Sequence, residues 1–386
     1  MRARKICWGT IGMTTAVFMF LAAGCSAQGE PKRFSEAKGS PYRVGDSPAA
    51  LVIADFNNDG LPDIATANSR GRSVSILLNE GKGSFRKPSG SPVRVDFAPL
   101  LIAAGDVNSD GKVDLALTDH DSYEVLILHG DGEGGFAESE TRPLSMQAEK
   151  PHNHGLALAD FNRDGNLDIA TSNNGEHSIS VLTGNGEGNF ELMPKAPFGV
   201  GRNPYPLTVA DVNRDSCPDI LVPNLNGQVS LLLSNGKGSF NPAVNIGVLP
   251  RPYFLATGDF NNDSFPDFVT SHDDITTLSI LLGDGKGGFV QAKNSPLDAG
   301  QRVWKIVCRD MDADGNADLI AAGQIENEVL IIYGDGSGNF SLESTETYPA
   351  GNQPTGLAVA DLNMDGNPDI ITCNSRSNTV TILLQE

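Results

Sequence analysis

Asp55-Phe56-Asn57-Asn58-Asp59-Gly60-Leu61-Pro62-Asp63 closes a short apolar run, Leu51-Val52-Ile53-Ala54. The same nine-residue loop begins again at Asp106, Asp160, Asp211, Asp259, Asp310 and Asp361, at intervals of 51, 54, 51, 48, 51 and 51 residues. A constant period of this length marks a repeat architecture built from one supersecondary unit.

Each unit reads as four strands. Leu51 to Asp55 is a β-branched, apolar strand, and Asp63 to Asn68 is a second. A polar turn leads to Val74-Ser75-Ile76-Leu77-Leu78, and a Gly-rich turn then ends on Phe85. A weaker segment with Pro88 and Pro92 suits an outer edge strand. Four antiparallel strands in about 50 residues make one propeller blade. The fold class is therefore all-β, a seven-bladed propeller. The Gly-rich turn opens no helix and lacks the Lys-Ser/Thr ending of a phosphate loop, so its Phe is expected to pack between blades.

The seventh unit stops at Leu384-Gln385-Glu386, after its third strand. The missing strand stands at the front: Phe34 to Val44 matches Phe85 to Val95, with Gly39, Ser40, Pro41, Arg43 and Val44 at the offsets of Gly90, Ser91, Pro92, Arg94 and Val95. The N-terminal segment is expected to complete the last blade and remove an open sheet edge. The propeller thus covers residues 34–386.

Each loop presents oxygen-bearing side chains at positions 1, 3, 5 and 9. These are Asp55, Asn57, Asp59 and Asp63, then Asp106, Asn108, Asp110 and Asp114, then Asp160, Asn162, Asp164 and Asp168. They continue as Asp211, Asn213, Asp215 and Asp219, as Asp259, Asn261, Asp263 and Asp267, as Asp310, Asp312, Asp314 and Asp318, and as Asp361, Asn363, Asp365 and Asp369. Hard oxygen ligands without His or Cys suit Ca2+. Up to seven ions are expected. The loops starting at Asp211 and Asp259 are doubtful, because Ser216 and Ser264 replace the glycine whose left-handed backbone eases the turn. The alternative is an Asx-turn network that ties the hairpin without an ion.

The net charge is −20, and nearly half of the 48 acidic residues sit in these loops. Such acidity excludes nucleic acid as a partner. Cys217, Cys308 and Cys373 occupy different repeat positions and read as unreactive thiols, neither a disulfide framework nor a zinc site.

Arg2, Arg4 and Lys5 precede an apolar stretch from Ile11 to Ala23, a secretory leader too short for a standard membrane span. Leu21-Ala22-Ala23-Gly24-Cys25 resembles a bacterial lipobox, although the Leu lies four residues before the Cys rather than three. The resemblance implies a signal peptide over 1–24, lipidation of Cys25, a tether over 25–33 and, with Ser26, outer-membrane sorting in a Gram-negative cell. An ordinary signal cut after Ala27 is the alternative. Membrane contact would be through the lipid alone, and the chain is expected to be monomeric.

The repeat resembles the FG-GAP/VCBS family, the calcium-loop propeller repeat also found in integrin α-subunit heads. The resemblance implies calcium at the hairpin loops of one face and, loosely, extracellular adhesion or ligand binding.

On the opposite face, the sixth residue before each loop is Ala49, Leu100, His154, Tyr205, Tyr253, Trp304 and Thr355. Arg202, Arg251, Arg302 and Lys305 stand nearby, and the turns after the second strands add His120, Tyr123, His177 and His272, with His152 close by. Aromatics stack on sugar rings or peptide groups and Arg pairs with carboxylates, so His154, Tyr205, Tyr253, Trp304, Arg202, Arg251, Arg302 and Lys305 form a candidate binding surface for a protein or glycan. The alternative is that large residues only plug the channel or pack between blades. No catalytic constellation stands out, and the histidines read as scattered. The expected function is an exported, calcium-stabilised binding or adhesion propeller. The alternatives are a lyase-like enzyme on acidic polysaccharides, as in calcium propellers resembling this one, and a scaffold without a small ligand.

Overall fold

The computed structural model describes residues 33–122, 124–140, 144–146 and 152–386. The expected leader, Cys25 and the expected tether through residue 32, and Tyr123, lie outside the described residues.

Seven separate antiparallel sheets follow one another along the chain. The first is formed by Pro48–Ala54, Asp63–Asn68, Ser73–Asn79 and two outer pieces, Phe85–Arg86 and Val93–Arg94. The inner strands of blades two to seven are Pro99–Gly105, Asn153–Ala159, Thr208–Ala210, Pro252–Gly258, Val303–Arg309 and Pro354–Ala360. Each inner strand packs on the next, and Pro354–Ala360 packs on Pro48–Ala54, so the ring is closed. The outer strand departs from the sequence expectation. Among the described residues it is split into two short pieces in five blades, both paired to the third strand, and is continuous at Val244–Gly247 and Phe340–Pro349.

Burial follows from this layering. Every residue of all seven second strands is buried, since each is flanked by strands in its own sheet and by blades on both faces. The apolar core forms seven clusters, one at each interface between neighbouring blades. The Phe of the Gly-rich turn bridges blades as expected: Phe136, Phe240 and Phe340 meet Phe56, Phe161 and Phe260 of the preceding blade at 5.5, 5.6 and 5.3 Å.

The N-terminal segment completes the seventh blade. Phe34 pairs with Gln385, and Tyr42 with Val380. The Ser40 hydroxyl accepts the Ile382 N–H at 3.0 Å, as Ser91 accepts the Ile76 N–H at 2.9 Å in blade one. The repeated Gly-Ser-Pro therefore has a repeated contact.

Candidate functional site

Two sites lie at opposite ends of the inner strands. The Asp-rich loops follow their C-terminal ends, and in each blade the residue before the loop pairs with its ninth residue, as Ala54 does with Asp63. In the first loop the Asp55 carboxylate accepts the Asp59 and Gly60 N–H groups at 3.1 and 2.8 Å, and Asp59 accepts Leu61 N–H at 2.8 Å. The Asn57 amide donates to Asp59 at 2.8 Å. Ser216 and Ser264 preserve this turn: their N–H groups reach Asp211 and Asp259 at 2.9 and 2.7 Å, with φ of 65° and 69°. Position 4 is left-handed as well in all seven loops, at Asn58, Ser109, Arg163, Arg214, Asn262, Ala313 and Met364. Serine at position 6 alters the strain of the loop, not its shape.

The ninth carboxylate has a second task. Asp63 is fully buried and accepts N–H from Phe56 at 2.9 Å and from Asn79, on the third strand, at 2.7 Å. Asp114, Asp168, Asp219, Asp267, Asp318 and Asp369 repeat both bonds. Burial pushes Asp63, Asp267 and Asp369 up to about 6 and Asp168, Asp219 and Asp318 up to about 7, against the lowering effect of those bonds. The neighbouring loop carboxylates raise them further.

The donor set fits a hard cation best in the sixth loop. Asp310, Asp312 and Asp314 bring one oxygen each within 4.8 Å of one another. Asp310 Oδ1 is buried without a hydrogen-bond partner, whereas the equivalent oxygen of Asp55 accepts the Asp59 N–H. An oxygen left unpaired beside two further carboxylates is what a bound cation would satisfy.

The other site is at the start of the inner strands. Here the register with the second strand slips, between Asn153 and Gly155, Pro252 and Leu255, and Val303 and Ile306. A β-bulge re-aims side chains, and His154, Tyr253 and Trp304 sit in these irregular stretches. In blade four the strand itself is short, and Tyr205 precedes it, its N–H held by Pro223 O at 2.9 Å. The four rings form a continuous arc across blades three to six. Centroids are 4.4 Å apart from His154 to Tyr205, from Tyr205 to Tyr253, and from Tyr253 to Trp304. Tyr205, Tyr253 and Trp304 keep part of their surface exposed, while His154 is buried. Burial lifts the Tyr205 hydroxyl above its usual range, so it stays protonated.

The cations beside the arc behave differently from one another. Arg251 pairs with Asp273 and with Asp274, the latter at 2.6 Å, and Arg302 donates to the Asp273 carbonyl. Both guanidinium groups therefore already meet acids of the blade-five turn. Arg202 is exposed. Lys305 lies 5.1 Å from the Phe254 ring centre, and burial lowers the pKa of its ammonium.

The histidines that read as scattered in the sequence are not scattered in space. His120 and His152 have ring centroids 3.9 Å apart, and they lie 5.0 and 4.8 Å from His154. The only sequence signal was that second-strand turns and inner-strand starts share one face. His272 instead bonds Pro250 O and Ser279 within its own part of blade five. Cys217, Cys308 and Cys373 are free thiols, as expected.

A closed ring of seven antiparallel blades, each turning on an Asp-rich hairpin loop, defines a seven-bladed repeat propeller. The chain belongs to the FG-GAP-like repeat family, which matches residues 55–117, 106–171, 160–222, 215–270, 259–321 and 310–372. It is 28% identical over 128 residues to cartilage acidic protein 1 of Homo sapiens, a match covering 32% of this chain and 19% of that protein. The chain thus aligns with about a fifth of that relative's length. Among solved structures it is similar to BBS1N in complex with ARL6DN, with TM-score 0.63, 12% identity, and 92% and 97% of the two chains covered. It is also similar to an Agrocybe aegerita lectin specific for non-reducing terminal N-acetylglucosamine, with TM-score 0.57, 22% identity, and 78% and 80% covered. An FG-GAP propeller suits a binding or scaffold role.

Proposed function

We propose that this protein is an exported, lipid-anchored, calcium-stabilised propeller that binds a glycan across the arc of His154, Tyr205, Tyr253 and Trp304. The observation that carries this reading is the arc itself. Four rings stand in contact in four consecutive blades, at a repeat position that is Ala49, Leu100 and Thr355 elsewhere. Packing alone would favour the same small residue in every blade. The part-exposed faces of Tyr205, Tyr253 and Trp304, two of them with phenol hydroxyls, match the alternating apolar and hydroxyl surface of sugar rings. The same fold carries sugar recognition in the A. aegerita lectin.

Calcium at the Asp loops would brace the opposite face. The sixth loop is the foremost candidate, because of its clustered carboxylates and unpaired Asp310 oxygen. Anchoring would be through Cys25.

A glycan and protein array probed with the purified protein, with and without calcium, tests the reading. Glycan binding lost in Tyr205→Ala and Trp304→Ala supports it. A protein ligand unaffected by both variants, or no ligand on any array, sinks it in favour of adhesion elsewhere or a scaffold. Unsaturated products from uronic-acid polymers would replace binding with cleavage at this face.

A further inference from the structure

We propose that His120, His152 and His154 form a three-imidazole site for a divalent transition-metal cation, with zinc as the best match. The site is distinct from the Asp loops. It lies where blade two meets blade three, at the opposite end of the inner strand Asn153–Ala159 from Asp160. It stands whether or not a glycan binds the arc.

Half of the chain's six histidines converge at this point. One ring nitrogen from each lies within 4.8 Å of the other two. Tetrahedral zinc with Zn–N bonds of about 2.0–2.1 Å places its ligand nitrogens roughly 3.3 Å apart. Small ring rotations at the half-exposed His120 and His152 would close that gap.

The second observation concerns His154 Nε2. It is buried, with the residue 8% exposed, and has no hydrogen-bond partner. A buried polar atom without a partner is costly, and a metal would use its lone pair directly.

The surroundings resemble the support of a built site. His120 Nδ1 is 2.7 Å from Asp121 Oδ1, which leaves His120 Nε2 for the metal and gives the carboxylate–histidine pairing that raises ligand basicity. The turn carrying both residues is tied to the strand carrying His154, because the Asn153 amide donates to Ser122 O at 3.0 Å. The Tyr205 ring stacks on His154 and fixes its plane. Three imidazoles without a thiolate suit zinc, with copper or nickel as rivals, and leave a fourth position for water or a ligand donor.

Equilibrium dialysis of the purified protein against zinc, in millimolar calcium to occupy the acidic loops, tests the site. The expected result is one equivalent of zinc bound by the wild type and lost in a His120→Ala/His152→Ala variant of unchanged melting temperature. Asp121→Asn, a positioning change, should weaken zinc about 10- to 100-fold. Cobalt(II) provides a readout that needs no variant: a three-imidazole site gives intense visible d–d absorption, which zinc then bleaches. Equal zinc uptake by wild type and double variant, or a cobalt spectrum of weak octahedral bands only, overturns the proposal.

Discussion

His154 and Tyr205 stack at 4.4 Å with 28° between their ring planes, although they belong to neighbouring blades. The contact joins the three-histidine cluster to the row of tyrosines and Trp304, so one face of the propeller carries a single connected aromatic surface. The expected consequences concern that surface, the loops beneath it and the closure of the ring.

Tyr253→Ala interrupts the arc between Tyr205 and Trp304. Glycan affinity is expected to fall about two- to twelvefold, since aromatic stacking contributes roughly 0.5–1.5 kcal/mol per pair beyond area. The melting temperature should move far less than for a core substitution. Calorimetric titration and thermal melts measured side by side check both parts.

The ninth and fifth loop positions should separate by stability. Asp168→Ala leaves the buried N–H groups of Phe161 and Gly184 without acceptors and should cost about 3 kcal/mol even in metal-free protein. Asp164→Ala removes an exposed carboxylate and should cost under about 1 kcal/mol in metal-free protein, and more in calcium. Urea denaturation in both conditions reads the difference.

Metal-free protein should lose stability as pH rises from about 4 to about 7. The ninth-position carboxylates have folded-state values raised by burial to about 6 for Asp63 and about 7 for Asp168, above the unfolded 3.8. The native state therefore binds more protons than the unfolded chain across that window, and each proton lost on ionisation favours unfolding. Calcium should flatten the slope by favouring the ionised loops. A metal-free melting temperature that climbs steadily from pH 4.5 to 7 contradicts this sign.

Ser216→Gly should stabilise the fourth loop by about 0.5–1 kcal/mol, because Ser216 holds a φ of 65° that glycine adopts without steric cost. Chemical denaturation of the variant beside Ser264→Gly, at φ 69°, provides a paired check.

Removal of residues up to 45 strips the strand that pairs Phe34 with Gln385 and Tyr42 with Val380. The third strand of blade seven then becomes a raw edge, and aggregation is expected. A chain starting at residue 30 should remain monomeric by size-exclusion chromatography.

The ring was legible because it is written as a period. Ala54 and Asp55 recur at the same offset, and Phe34 to Val44 repeats Phe85 to Val95, so strand order and closure follow from sequence alone. The task of Asp63 was not legible, because a carboxylate that ligates and one that accepts two backbone N–H groups are the same residue at the same position. Arg251 and Arg302 illustrate a different limit. Both read as free to meet an anion, yet Asp273, from a turn in the same repeat position as His120, engages both. His120 and His152 meet only because a blade-two turn reaches the start of a blade-three strand, a contact that no local pattern encodes.

Trp304 offers the most direct measurement, because the other of the chain's two tryptophans, Trp8, lies in the expected leader. Protein beginning at residue 26 would therefore report through one indole, set in the arc beside Tyr253. Titration with an array-identified glycan, followed by tryptophan emission and calorimetry together, should give a saturable emission change with the same midpoint as the heat. Full calorimetric binding with unchanged Trp304 emission would contradict a ligand on the aromatic face.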